Sequence, residues 1–228
     1  MHLSLEHRLV GDATVVICRG RLTAGAESAA LQQSLDALIP RTRHVVLHLG
    51  EVEFIDSGGL GLLVRYLVRA QRSTATLSVC AVSPKIDEVL RITKLKTVFP
   101  PYETEAVAIT EVHRRDATDD AAAKTTVLCV DASSDVTTYI RELLKAAGYR
   151  VLTALNMPDA LVLLIATSPA VVVVSAELNG VRGTRAAEEF HRLATARSLV
   201  LLPAGFSAHD AGDAAAEVLS AVRAAASV

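Results

Sequence analysis

The first half of this chain turns on HVVLHLGEVEFIDSGGLGLLVRYLVRA, residues 44–70. HVVLHL (44–49) has the unbroken apolar character of a buried strand. From Leu60 onward the apolar residues recur at Leu60, Leu63, Val64, Leu67 and Val68, which is one face of a helix packed on a core. Between strand and helix lies DSGG (56–59). A helix starting at Gly58 makes Ser57 its N-cap, with the hydroxyl accepting from the N–H of Gly59 or Leu60. Gly58 and Gly59 are poor first-turn residues, each unfavourable by up to about 1 kcal/mol against alanine, yet they leave the serine open to close approach. A phosphate on Ser57 would meet the positive end of the helix dipole and its free N–H donors, opposed by the like charge of Asp56. Ser57 is therefore read in two ways, as a cap or as a modified residue.

Outward from this stretch, short apolar runs alternate with helical patterns. Leu3, Leu5 and Leu9, then TVVIC (14–18), predict two early strands, and Leu31, Leu35, Leu38 and Ile39 a helix. TLSVCAV (76–82) is a further strand, and the Ser83-Pro84 pair opens a helix whose buried stripe is Ile86, Val89 and Leu90. VFPPY (98–102) reads as a short edge strand, since proline cannot donate to a ladder, and a last helix starts near Thr104. HRRDATDDAAAKT (113–125) is polar and alanine-rich, a linker between a domain at 1–112 and another at 126–228.

After the linker the alternation is regular. Strands at 127–130, 149–154, 171–175 and 199–202 are separated by helices at about 134–147, 158–167 and 184–195, with a last helix at about 209–225. Continuous apolar strands between amphipathic helices predict a parallel sheet covered on both faces. Both halves are thus α/β.

Composition narrows the function. The chain has 228 residues, a net charge of -2, and basic residues spread over both halves, which argues against a nucleic-acid surface or a membrane-binding polybasic face. Cys18, Cys80 and Cys129 each lie in an apolar run without CxxC spacing, as expected of buried thiols in a cytoplasmic protein. No apolar run approaches the roughly 20 residues needed to span a bilayer. The histidines His2, His7, His44, His48, His113, His191 and His209 show no metal spacing, so no metal or cofactor is expected. No GxSxG, P-loop or dinucleotide fingerprint is present, and a serine without a paired base is a better substrate than nucleophile, so the chain is not read as an enzyme.

The 44–70 stretch together with TLSVCAVSPKIDEVLRITKLKTVFPPYE (76–103) resembles the STAS domain of bacterial anti-sigma factor antagonists over about residues 3 to 112. The resemblance implies a mixed sheet with helices. It also implies a phosphoacceptor at Ser57, modified by an anti-sigma factor kinase of the GHKL type and restored by a serine phosphatase. The unmodified antagonist would hold the kinase, and the phosphorylated form would release it. Carried over by position, the partner surface comprises Asp56, Gly58, Gly59, Gly61, Leu62, Arg65, Tyr66 and Thr23. Arg69 lies on the same exposed side of the helix. The chain departs from the pattern at Gly58, where members often carry a second hydroxyl residue, at Thr23, where many carry aspartate, and at His48, read as a structural histidine.

VLCVDASSDVTTYIRELLKAAGYRVLTA (127–154) and PAVVVVSAELNG (169–180) resemble a two-component receiver, over about residues 126 to 225. Receiver chemistry needs an acceptor aspartate, an acidic pair for Mg²⁺, a hydroxyl residue and a lysine. Those positions fall on Ser175, on Asp131 with Ala132, on Pro203, and on no matching lysine, leaving Glu177 and Asp135 as the nearest acidic residues. The expectation is a truncated, flavodoxin-like pseudo-receiver that serves dimerisation, docking or ligand sensing. Two other readings of the whole chain stay open: a scaffold subunit of a signalling assembly in which Ser57 only caps, and an accessory protein of a lipid or anion transport system.

Overall fold

A computed structural model of the chain describes residues 2–119, 125–203, 205–207 and 213–226. The chain divides into two units, Met1–Val112 and His113–Val228. The first unit opens with β1 (Ser4–Val10) and β2 (Ala13–Leu22), an antiparallel hairpin turning at Gly11, whose φ of 61° suits glycine. Then follow α1 (Ala26–Leu38), β3 (His44–Ile55), α2 (Ser57–Gln71), β4 (Thr76–Cys80), α3 (Pro84–Ile92), α4 (Leu95–Val98) and α5 (Glu105–Asp119), whose last seven residues belong to the second unit.

The sheet has the order β1-β2-β3-β4 and is mixed: β1 runs antiparallel to β2, and β2-β3 and β3-β4 are parallel. One face buries Val16, Cys18, Val45 and Leu47 against Leu31 and Leu35 of α1, Leu63 and Leu67 of α2, and Ile86 and Leu90 of α3. Each fully buried leucine contributes roughly 1.5–3 kcal/mol over leaving it in water. β3 has twice the predicted length, because Gly50 does not end it: the strand runs on to Ile55 along β2, with register shifts at Ile17/Arg19 and Gly20/Arg21. β4 covers only His44–His48, so β3 carries the chain beyond the sheet's last strand and delivers Asp56 and Ser57 at its tip.

Two expectations need correction. VFPPY is not a strand: Val98 ends α4, and only Tyr102 joins the sheet, through a single bridge to Cys80 in which its N–H donates to the Val79 carbonyl at 2.8 Å. The linker read over 113–125 is helical to Asp119, since arginine and alanine extend a helix well, and His113 is buried; residues 120–124 lie outside the described residues.

The second unit contains β5 (Thr126–Val130), α6 (Ser134–Ala146), β6 (Arg150–Ala154), α7 (Met157–Thr167), β7 (Val171–Ser175), α8 (Ala176–Asn179), α9 (Arg185–Ala194), β8 (Ser198–Leu202) and α10 (Asp213–Ala226). Its sheet is wholly parallel with order β6-β5-β7-β8, compatible with a receiver-like fold. β5, β6 and β7 are buried on both faces, which is why VLCV and VVVV read as unbroken apolar runs and VLTA is broken only by the buried Thr153. α6 and α10 share one face, packing Ile140, Leu144, Val218 and Val222 on Val127, Val173, Val200 and Leu202. The predicted start of the last helix at 209 lies outside the described residues, as does His209.

Candidate functional site at the start of α2

Ser57 does not cap α2. The N-cap is Asp56, with extended backbone (φ −99°, ψ −179°), and its Oδ1 accepts from the Gly59 N–H at 2.8 Å. Its second oxygen, Oδ2, accepts from the Ala24 N–H at 3.0 Å, and its own N–H donates to the Leu22 carbonyl at 3.3 Å. A serine hydroxyl can satisfy one such donor; the carboxylate ties the helix start and the β2–α1 loop together at once. These amide hydrogen bonds, from Gly59 first and then Ala24, hold the Asp56 carboxyl below the ordinary carboxylate range. Ser57 is thereby freed: it is the first helical residue, it is exposed, and its hydroxyl has no hydrogen-bond partner among the described residues.

The three glycines that follow differ in purpose. A Cβ on Gly59 would stand 2.4 Å from the Leu22 carbonyl oxygen, so this buried residue lets α2 press against β2. A Cβ on Gly58 would meet the Ala24 Cβ at 2.7 Å, so any larger residue here has to displace the turn at Ala24. Gly61 has open space around it and is exposed.

Two residues assigned to a partner surface, Leu62 and Tyr66, are buried, Leu62 still lining a groove between α1 and α2. Their burial follows because α1 packs on that side of α2: the Tyr66 hydroxyl donates to Asp36 Oδ1 at 2.6 Å and lies 3.3 Å from the Gln32 carbonyl oxygen. Arg69 pairs with the same Asp36, whose carboxyl is held low by the tyrosine hydroxyl first and the guanidinium second. Val68, placed on the buried stripe from sequence, is exposed instead. Arg65 is exposed as expected, donating to Gln32 Oε1 at 2.7 Å.

Beside the helix start lies a shallow groove of about 310 Å³ between α1 and α2, walled by Gly25, Ser28 and Gln32 on one side and Gly58, Gly61 and Arg65 on the other. Thr23 is half-buried next to it and is spent on α1, its hydroxyl 3.4 Å from Glu27 Oε2 and its carbonyl accepting from the Ser28 hydroxyl at 2.7 Å. Sequence reasoning missed Phe54, which is 45% exposed, with the Arg21 guanidinium 4.9 Å from its ring centroid. The parallel register pairs Arg21 with Phe54, and that pairing has no local signal in either segment. His48 is half-buried, with its Nδ1 3.4 Å from the Gly50 N–H.

In the second unit Asp131, Ala132, Ser175 and Pro203 line one cavity of about 750 Å³ at the C-terminal ends of the strands. Asp131 Oδ1 accepts from the Ser133 N–H at 2.7 Å, and Ser175 is the N-cap of α8, accepting from Leu178 N–H at 3.5 Å. Asp135 and Glu177 line the same cavity, but among the described residues no group of three or more His, Cys, Asp or Glu could hold a metal ion.

A mixed four-stranded sheet whose third strand presents an aspartate-capped helix and a bare serine defines a STAS-type domain. The STAS domain family model matches residues 5–108. The chain is 33% identical over 115 residues to the anti-sigma F factor antagonist of Paenibacillus polymyxa, covering 49% of this chain and 97% of that protein. Among solved structures, an anti-sigma factor antagonist from Mycobacterium paratuberculosis is 27% identical with a TM-score of 0.43, over 48% of this chain and 93% of the other. An anti-sigma-factor antagonist (STAS) domain protein from Planctomyces limnophilus is also 27% identical, with a TM-score of 0.40, over 47% and 95%. Through its N-terminal half the chain belongs to the STAS-domain anti-sigma factor antagonists. No helix among the described residues is long and apolar enough to cross a membrane.

Proposed function

We propose that this chain is a cytoplasmic antagonist whose Ser57 is the acceptor for an anti-sigma factor serine kinase, which it holds when unmodified and releases when phosphorylated. The observation that carries this reading is the division of labour at 56 and 57. Asp56 performs the capping, so the exposed Ser57 hydroxyl has no structural task within the described fold. A phosphoryl group there adds about −1.5 to −2 of charge on the residue before Gly58, which lines the groove. The Gly59 N–H is already bonded to Asp56 and cannot neutralise it, so the new charge faces outward to a partner. A serine phosphatase would reset the switch. Binding of a cognate kinase to wild-type, Ser57→Ala and Ser57→Asp proteins tests this: the first two bind alike and the aspartate variant loses about tenfold or more in affinity. Equal binding by all three would sink the reading.

For the second unit we infer a phosphorelay-inert, receiver-like module without enzymatic activity. The acceptor position is a capping serine and the hydroxyl position a proline, so no acyl phosphate can form at that strand end. Incubation with acetyl phosphate and Mg²⁺ should leave the intact mass of the chain unchanged.

A further inference from the structure

The sheet of the second unit ends on β8, and we propose that this edge is a self-association surface at which two copies of the chain pair β8 with β8 antiparallel about Val200. The strand order places β8 outermost, and among the described residues nothing hydrogen-bonds its outer side. Its two faces differ. Val200 and Leu202 are buried under Val218 and Val222 of α10, whereas Leu199 and Leu201 are 40% and 53% exposed. Soluble proteins guard such edges with a charge, a proline or a bulge inside the strand, and SLVLL (198–202) contains none of these.

A second copy is the occupant that this strand fits, because its pattern is self-complementary. Pairing about Val200 sets Leu199 against Leu201 of the other copy and the reverse, so four exposed leucines gather on one face of the joined sheet. Arg197 falls opposite Pro203, which keeps the two arginines at opposite ends of the ribbon, roughly 20 Å apart at about 3.4 Å per residue. A charged strand from another protein would place its charges among these leucines instead. A twofold contact of this kind closes on itself and forms a dimer, not a fibre. Five residues a side cover less than the roughly 1,200 Å² of a stable interface, so the dimer is weak and concentration-dependent.

Sedimentation velocity of the full chain from micromolar to near-millimolar concentration is the test. The expected result is a reversible monomer–dimer equilibrium, whose midpoint moves up by about tenfold or more in Leu201→Lys with the circular dichroism unchanged. Register is read separately by oxidising a mixture of Leu199→Cys and Leu201→Cys chains, the native thiols being buried. Directly opposed positions lie about 4.5–5.5 Å apart and diagonal ones about 7–8 Å, so the mixed disulfide forms ahead of either like pair. A chain that stays monomeric throughout, a dimer indifferent to Leu201→Lys, or equal cross-linking of like and unlike pairs would overturn the proposal.

Discussion

At Asp56 a single carboxylate binds the amide of Gly59 in its own segment and that of Ala24, 32 residues before it, and this fixes how Ser57 is presented. Asp56→Ala should lower Tm by several degrees, since it removes a cap and an anchor together. The pH dependence follows from its depressed pKa, shared with Asp36. The unfolded chain binds the extra proton first, so the stabilisation is full above the ordinary carboxylate value of about 4 and disappears as pH falls through the lower folded value. Thermal melts between neutral pH and about pH 2 should therefore converge for wild type and Asp56→Ala at the acid end. Ser57 itself was legible as special, but its bond-free state was not: Asp and Ser are both good N-caps, and what selects Asp56 is the distant Ala24 N–H.

The helix that follows illustrates what an apolar pattern leaves out. The spacing of Leu60, Leu63 and Leu67 correctly gave α2 and its sheet-facing side. The wider buried arc through Leu62, Tyr66 and Ala70 exists because α1 covers a second flank, and the hydroxyl of Tyr66 reaches a carboxylate that only the fold brings near. Tyr66→Phe should cost about 1 kcal/mol, measurable by urea unfolding, without altering partner binding. Two glycine substitutions in the same helix should diverge. Gly59→Ala forces a methyl against the Leu22 carbonyl and should destabilise by about 1–3 kcal/mol. Gly61→Ala meets open space and should stabilise by roughly 0.5–1 kcal/mol, yet place a methyl in the groove and weaken kinase binding. Denaturant melts paired with binding titrations separate these two outcomes.

Over the whole molecule, the α/β alternation of the second unit was the most readable feature, since buried strands such as VVVV (171–174) leave little ambiguity. Strand order and register were not readable, and with them the grouping of Asp131, Ser175 and Pro203 around one cavity or of Arg21 with Phe54. The two units have separate cores, one enclosing Cys18 and the other Cys129. Burial pushes the thiols of Cys18, Cys80 and Cys129 up to about 12. Native protein should therefore resist thiol-specific labelling at pH 8. In rising denaturant the labelling should come in two steps, two thiols with the first unit and one with the second, read by intact mass. A single step labelling all three together would mean that the units unfold as one.

The contact between Gly58 and Ala24 also constrains how this protein can change over generations. A serine at 58 would put its Cβ 2.7 Å from the Ala24 methyl and 3.2 Å from the Ala24 Cα, so the exposed turn at Ala24 has to shift before a second hydroxyl fits. Glycine at 24 would remove the closest of these contacts and leave those to the Ala24 Cα and Asp56 Oδ1, each 3.2 Å. Alanine at 24 thus makes a hydroxyl residue at 58 costly to accommodate and leaves Ser57 as the exposed hydroxyl at this helix start.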